Sequence, residues 1–365
     1  MYTLKGRYAE AKIYAKAPDQ NAVSQVYELL EQPFSQGSKI RIMPDMHVGK
    51  GCVIGTTMTI NDKVAPSLVG VDIGCGMEVA RLTAKKIDFA ELDDCIRENI
   101  PSGTNSRKKP HKFAKNFDKE ELRCIKKIDS KKAELQIGTL GGGNHFIEIG
   151  GEKGDLYLIV HSGSRNLGNI VAEYYTNRAR AIALSENIRV RRELAYLYGV
   201  ALKDYLNDMK LMQKYADLNR KAIIKEITDK MGLEIDYSFT TVHNYISDDG
   251  ILRKGAVSAK EGERLILPIN MRDGSFICLG KGAEDWNYSA PHGAGRLLSR
   301  GEAKKQLNIK KFEETMKGVY TTCVHKSTLD ESPFAYKPME EILKMAADTI
   351  TVEKRIPSLY NFKAG

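Results

Sequence analysis

The sequence predicts an α/β protein, organised as a single domain over residues 1–365. Three observations lead there. Short runs with strand-like alternation, such as 11–14 and 40–43, recur between stretches whose apolar residues fall at helical spacing. At 42% hydrophobic and 28% charged, 365 residues suffice to bury a large core. No repeat, low-complexity tract or clean linker divides the chain.

Taken in order, residues 1–62 read as short strands with a helix over about 21–31. The segment 41–51, Arg-Ile-Met-Pro-Asp-Met-His-Val-Gly-Lys-Gly, is expected to break into a loop at Pro44, carrying Asp45 and His47 from a strand end. Residues 65–71 form an apolar run bounded by glycine, as for a buried strand ending at Asp72. A helix over 88–99 precedes a polar, basic connection, 101–115, expected to be mobile and able to lie along a nucleic acid. In 135–149 a triple glycine, 141–143, allows close backbone approach just before Asn144 and His145. A strand over 156–160 delivers His161-Ser-Gly-Ser-Arg165. Residues 169–232 form the helical part, with packing stripes in 170–184, 194–206 and 211–231, where recurring tyrosines and methionines read as core. A strand over 237–242 presents His243-Asn244. Strands and glycine turns then lead to helices near 301–316 and 339–349.

No stretch approaches the roughly 20 apolar residues of a membrane span. The opening Met-Tyr-Thr-Leu-Lys-Gly-Arg lacks the apolar core of a signal peptide, so the cytoplasm is the expected compartment. Six cysteines, 52, 75, 95, 124, 278 and 323, show no paired spacing and read as reduced thiols. The net charge of +9 is concentrated in the runs 107–112 and 126–132, which suit either phosphates or a solvated basic face.

The chemistry centres on residues 71–77, Val-Asp-Ile-Gly-Cys-Gly-Met. Asp72 and Cys75 sit three apart in a glycine turn, as a hard and a soft ligand for a divalent transition metal if imidazoles complete the sphere. The alternative is a turn-forming aspartate beside an inert buried thiol. Of only seven histidines, His145, His161, His243 and His292 each follow a strand or occupy a glycine-rich turn. Asp72, Cys75 and three imidazoles are enough for two ions sharing the cysteine, an arrangement suited to phosphoryl chemistry. His292 is then left over. Small residues flank it in Trp286-Asn-Tyr-Ser-Ala-Pro-His-Gly-Ala-Gly-Arg296, leaving room for a nucleophilic imidazole to meet a large substrate. Arg165 and Arg296 each stand four residues after a histidine, placed to clamp phosphate oxygens or to serve as ordinary surface charges.

At this point the residues resemble the RtcB-type RNA-splicing ligases. The motifs are Pro44-Asp-Met-His-Val-Gly, Val71-Asp-Ile-Gly-Cys-Gly, Gly142-Gly-Asn-His-Phe-Ile-Glu, His161-Ser-Gly-Ser-Arg, His243-Asn, Ser289-Ala-Pro-His-Gly-Ala-Gly-Arg and Glu331-Ser-Pro-Phe-Ala-Tyr-Lys. They occur in family order across about residues 40–337. The resemblance implies stacked mixed β-sheets flanked by helices around a central metal cleft along which basic residues guide RNA. It also implies joining of an RNA 3′-phosphate or 2′,3′-cyclic phosphate end to a 5′-hydroxyl end, with GTP and two Mn²⁺ ions. By matched position Asp72, Cys75 and His145 hold one ion, and Cys75, His161 and His243 the other. His292 attacks the α-phosphate of GTP and carries GMP. Asn144, Arg165 and Arg296 contact phosphates, Glu148 and Tyr336 line the nucleotide pocket, and Lys363 reads guanine.

Two departures stand out. Residues 270–275 read Asn-Met-Arg-Asp-Gly-Ser where longer members carry Pro-Gly-Ser-Met-Gly, and one more residue separates Lys363 from the terminal glycine. The shorter chain fits a compact variant repairing nicked structured RNA rather than splicing tRNA. Two other readings use the same residues: a metal-dependent cyclic phosphodiesterase, which does not need His292, and a non-catalytic RNA-binding metalloprotein, which predicts a closed four-ligand site.

Overall fold

The computed structural model describes residues 1–16, 18–125 and 130–364, so residues 126–129 of the second basic run lie outside the described residues. Four amino-terminal strands and two from beyond residue 240 build a six-stranded sheet in the order Tyr2–Lys5, Glu10–Ile13, Ile40–His47, Ile54–Thr59, Ile251–Lys254, Asn244–Ile246. Its second and third strands form the one parallel pair among the described strands. Helix Gln20–Leu30 makes the crossover that a parallel pair requires. Asp19 caps it by accepting from the amides of Asn21 and Ala22, and Ala22, Val26, Leu29 and Leu30 form its buried stripe. The chain thus combines helices with several sheets as expected, but among the described residues parallel pairing is limited to this strand pair and two isolated bridges, Ser102 with Gly141 and Tyr320 with Tyr360.

A five-stranded antiparallel sheet carries the residues of most interest. Its order is Ile235–Val242, Gly76–Leu82, Asp155–Ser162, Phe146–Glu152, Ser358–Lys363. The period-2 alternation of a strand splits its side chains between two cores. Ala80, Leu82, Leu158 and Val160 pack on Ile223, Ile224 and Ile227 of helix Gly199–Met231. Met77, Val79, Tyr157 and Ile159 face Ile266, Ile277 and Ile356 of a three-stranded sheet, Arg264–Asn270, Gly274–Gly280 and Ile350–Ile356. Burying each such isoleucine contributes roughly 2 kcal/mol before chain entropy is counted. Helix Arg165–Ser185 lies against the same long helix, joining Val171, Tyr175 and Ala179 to Tyr205, Met209, Met212 and Tyr215 in one cluster. The tyrosines and methionines there are core. No helix among the described residues is long and apolar enough to cross a membrane.

Four expectations change. Strand Ile40–His47 runs through Pro44 instead of breaking there. Its pairing with Ile54–Thr59 shifts register between Ile42 and His47, and proline is tolerated at such an irregularity because no ladder donor is needed. The run before Asp72 is a 3₁₀ turn, Pro66–Leu68, started by proline at its first position; the strand follows the motif, at Gly76. The helical part begins at Arg165, and its last two expected stripes merge into the single helix Gly199–Met231. The basic connection 101–115 is tied to that helix, with Arg107 2.8 Å from Glu226 and Lys112 3.5 Å from Asp229.

Candidate active site

Four consecutive strands of the five-stranded sheet end in a row of candidate ligands. His243 follows Ile235–Val242, Cys75 precedes Gly76–Leu82, His161 ends Asp155–Ser162 and His145 precedes Phe146–Glu152. Neighbouring strands lie about 4.8 Å apart, so residues at one end stand side by side. The rings of His145 and His161 are 5.2 Å apart, those of His161 and His243 5.2 Å, and His292 comes within 4.9 Å of His243.

Ligand atoms of Asp72, Cys75 and His145 lie within 4.8 Å of one another, as do those of Cys75, His161 and His243. Cys75 is common to both groups, its Sγ 3.5 Å from His145 Nε2 and 3.3 Å from His161 Nε2. The other nitrogen of each ring meets a carbonyl: His145 Nδ1 lies 2.9 Å from Leu140 O and His161 Nδ1 3.2 Å from Asn144 O. A carbonyl only accepts, so both Nδ1 atoms carry the proton and both Nε2 lone pairs turn toward Cys75. Arg165 Nη1 also approaches His145 Nδ1, at 3.2 Å, and contributes charge there rather than a bond.

These residues fit a cation. With its proton given to Leu140, His145 Nε2 faces Asp72 Oδ2 across 3.0 Å, lone pair to lone pair unless a proton or metal ion stands between. His243 Nδ1 is buried without a hydrogen-bond partner. Burial and the Asp72 charge push the Cys75 thiol well above its usual range, and burial holds the His161 and His243 rings neutral. At Asp72 burial opposes ionisation, but a proton held between it and His145, with the charge of Arg165, outweighs burial and holds the carboxyl low. A divalent cation held by these residues would separate the facing lone pairs and favour the thiolate. One thiolate, one carboxylate and three imidazoles suit a borderline transition metal.

Side chains behind the row hold it in place. Asn219 and Arg220, both fully buried on helix Gly199–Met231, reach the ligand-bearing loops. Asn219 Oδ1 accepts from the amides of Gly138 and Thr139 at 2.8 and 3.0 Å, and its Nδ2 donates to Thr139 O, Ser162 Oγ and Gly163 O. Arg220 Nη1 donates to Gly74 O and Ser162 O at 3.0 and 3.1 Å. The amide of Ser164 donates to Asp72 Oδ1 at 2.9 Å, and at Gly163 a Cβ would overlap that carboxylate. At Gly141 (φ +82°) it would overlap the Arg165 guanidinium, the close approach expected of the triple glycine.

His292 arrives from elsewhere, just after strand Ser289–Pro291. Its Nδ1 lies 2.7 Å from Asp45 Oδ2, which also accepts from the His292 amide at 3.1 Å. Asp45 is fully buried, and Lys337 donates to the carbonyls of Pro44 and Met46 on either side of it. The carboxylate fixes the proton on Nδ1 and leaves Nε2 as the free lone pair.

A cavity of about 1030 Å³ opens beside His161, His243 and His292. Asn144, Glu148, Arg296, Tyr336 and Lys363 line it, while Arg165 does not and stands behind His145. Arg296 is engaged with Asp330 O at 2.6 Å and with Tyr336 and Glu331. Glu331, held down to about 2 against its burial by the charges of Lys363 and Arg300, also accepts from Tyr336 at 2.8 Å and pairs with Lys363. Residues 270–275 make a tight turn in which Asn270 Oδ1 accepts from the amides of Arg272 and Asp273. From its end Ser275 donates to Glu148.

Glu148 is buried, accepting from Asn361 at 2.9 Å and Ser275 at 3.3 Å, and burial raises it from 4.5 to about 7. The folded chain therefore keeps a proton that the unfolded chain releases. Its contribution is complete below about pH 4.5 and is lost as pH rises through about 7. Glu148→Gln is expected to flatten the decline in denaturation midpoint between those values; an unaltered pH profile would contradict this.

Sequence reasoning placed Asp45 at a strand end without giving it a role, and did not single out Arg300, Glu331, Lys337, Asn219 or Arg220. Asp45, Glu331 and Lys337 stood within quoted motifs, whereas Asn219 and Arg220 had no local signal, lying inside an amphipathic helix.

Comparison with known proteins puts the chain among RNA ligases. The RNA-splicing ligase RtcB of Escherichia coli K12 is 32% identical, over 94% of this chain and 95% of that protein. The tRNA-splicing ligase RtcB of Aeropyrum pernix is 29% identical over 84% and 83%, and that of Archaeoglobus fulgidus 27% over 89% and 87%. The family model described as tRNA-splicing ligase RtcB matches residues 25–125 and 114–364. The chain belongs to the RtcB family.

Proposed function

We propose that residues 1–365 act as one GTP- and manganese-dependent RNA ligase in the cytoplasm, joining 3′-phosphate or 2′,3′-cyclic phosphate ends to 5′-hydroxyl ends in RNA splicing or repair. The observation that carries this reading is His292, held at Nδ1 by buried Asp45 beside a five-residue ligand set. A metal-ligand set alone would serve a phosphodiesterase; an oriented, unligated imidazole adds a nucleophile.

Asp72, Cys75 and His145 would hold one Mn²⁺ and Cys75, His161 and His243 the other. Bound there, the ions supply positive charge to the non-bridging phosphate oxygens. Ionised Glu148 accepts from the N–H groups of guanine, Lys363 donates to its carbonyl, and Tyr336 walls the nucleotide. Asn144, Arg165 and Arg296 serve the phosphates, Arg165 through its charge.

His292 Nε2 attacks the α-phosphorus of GTP, forming a P–N bond as pyrophosphate leaves, while Asp45 stabilises the imidazolium through Nδ1–H. An RNA 3′-phosphate oxygen then takes the GMP, breaking that bond. The 5′-hydroxyl attacks the activated 3′-phosphate, loses its proton and expels GMP. A cyclic end is first hydrolysed to the 3′-phosphate.

Incubation with radiolabelled GTP and Mn²⁺, followed by denaturing separation, tests this. Acid-labile, alkali-stable label is expected on the native chain and absent from His292→Ala. An unlabelled native chain would leave the phosphodiesterase or RNA-binding reading in its place.

A further inference from the structure

Guanine presents three N–H groups along one edge, one on its ring nitrogen and two on its 2-amino group, with the carbonyl at the far end of that edge. In a closed pocket each must meet an acceptor or stay unpaired at a cost. One carboxylate takes the ring N–H and one amino N–H side by side. The second amino N–H points away from it.

Asn361 offers the missing acceptor. It lines the large cavity with Glu148 and Lys363 and is 2% exposed. On strand Ser358–Lys363 it stands directly opposite Glu148. Its Nδ2 donates to Glu148 Oε2 at 2.9 Å, while its Oδ1 is buried with no partner. An ionised carboxylate only accepts, so the amide is fixed with its nitrogen engaged by Glu148 and its oxygen left over. The backbone here is held as well, the Asn361 amide donating to Tyr320 O at 3.1 Å and the neighbouring Tyr360 hydroxyl to Asp93 at 2.9 Å.

Order along the strand matches order along the base. Lys363 and Asn361 are two residues apart, so their side chains leave one face of the sheet roughly 7 Å from each other. With Lys363 at the guanine carbonyl and Glu148 at the N–H groups, the edge runs from carbonyl to amino group in the direction from Lys363 to Asn361. We propose that Asn361 is a specificity-determining residue whose Oδ1 accepts the second N–H of the guanine 2-amino group. This assignment rests on the ligase reading and adds to it a residue that selects GTP over ITP, the nucleotide lacking that amino group.

Initial rates of His292 labelling with radiolabelled GTP and ITP test it. The native chain is expected to favour GTP about a hundredfold in kcat/KM, two amino contacts at about tenfold each. Asn361→Leu, of similar shape, is expected to cut that preference about tenfold. Losing the Nδ2 donor weakens Glu148 toward both nucleotides alike, so the ratio isolates Oδ1, and labelling by ITP reports that the variant is folded. If it does not fold, the 2-methylamino analogue of GTP decides the matter in the native chain: it keeps one amino N–H and loses the other, and is expected to label about tenfold less efficiently than GTP. Equal use of GTP and ITP, or of GTP and the analogue, by the native chain would overturn the assignment, as would an unchanged preference in folded Asn361→Leu. A native chain labelled by neither GTP nor ITP would instead remove the ligase reading, and this assignment with it.

Discussion

Cys75→Ala is expected to abolish ligation and to cut bound manganese from two ions toward none. Its sulfur is the one atom common to both ligand groups, 3.5 Å from His145 Nε2 and 3.3 Å from His161 Nε2. Alanine leaves Asp72 with His145 on one side and a pair of imidazoles on the other, each too few to hold an ion against water. Metal charge on a phosphoryl oxygen is worth several kcal/mol in the transition state, so the rate should fall by about 10³-fold or more. Metal content after gel filtration in Mn²⁺, measured beside activity, checks both halves. Retention of two ions, or of manganese-dependent joining, would refute the shared-ligand assignment. His145→Ala should release one ion only.

Asp45→Asn is expected to slow His292 labelling by about 10³-fold with little change in metal content. The side chains are nearly isosteric, but an amide nitrogen facing His292 Nδ1 donates where the carboxylate accepted. That moves the ring proton to Nε2, the nucleophilic position, and removes the negative charge beside the imidazolium. Because Asp45 is fully buried and lies 2.7 Å from the ring, solvent cannot substitute for it. Single-turnover labelling at saturating GTP isolates the step. A fall in GTP affinity with an unchanged labelling rate would assign Asp45 to nucleotide binding instead.

Much of the site was legible in the sequence because the ligands lie where strands end, and strand ends are visible as apolar runs stopped by glycine. His161 has that signature, Cys75 and His145 sit beside glycines just before a strand, His243 follows the strand-like run 237–242 with no glycine to stop it, and sheet pairing makes the four neighbours. The pairing of Asp45 with His292 was hidden because Pro44 looks like a strand breaker, whereas the shifted register lets the strand carry Asp45 to His292, 247 residues away. The run before Asp72 was misread because a buried 3₁₀ turn and a short buried strand have the same apolar composition, and only the placing of Pro66 tells them apart. Asn219 and Arg220 were illegible for another reason: polar residues within a helical pattern read as its solvent face, and only tertiary structure shows them fully buried.

Those two side chains bear on how the ligand set would respond to gaining or losing metal ions. Asn219 and Arg220 fasten the 74, 138–139 and 162–163 loop segments to one rigid helix through bonds that do not involve the ligands' coordinating atoms. The ordering of the ligands is thus completed when the chain folds, and little conformational entropy is left to lose when ions enter. Metal exchange at such a centre would be a local event, limited by desolvation and deprotonation of the thiol rather than by chain rearrangement. A stripped enzyme would keep its architecture and regain its ions without refolding, unlike small zinc domains whose folding waits for the metal.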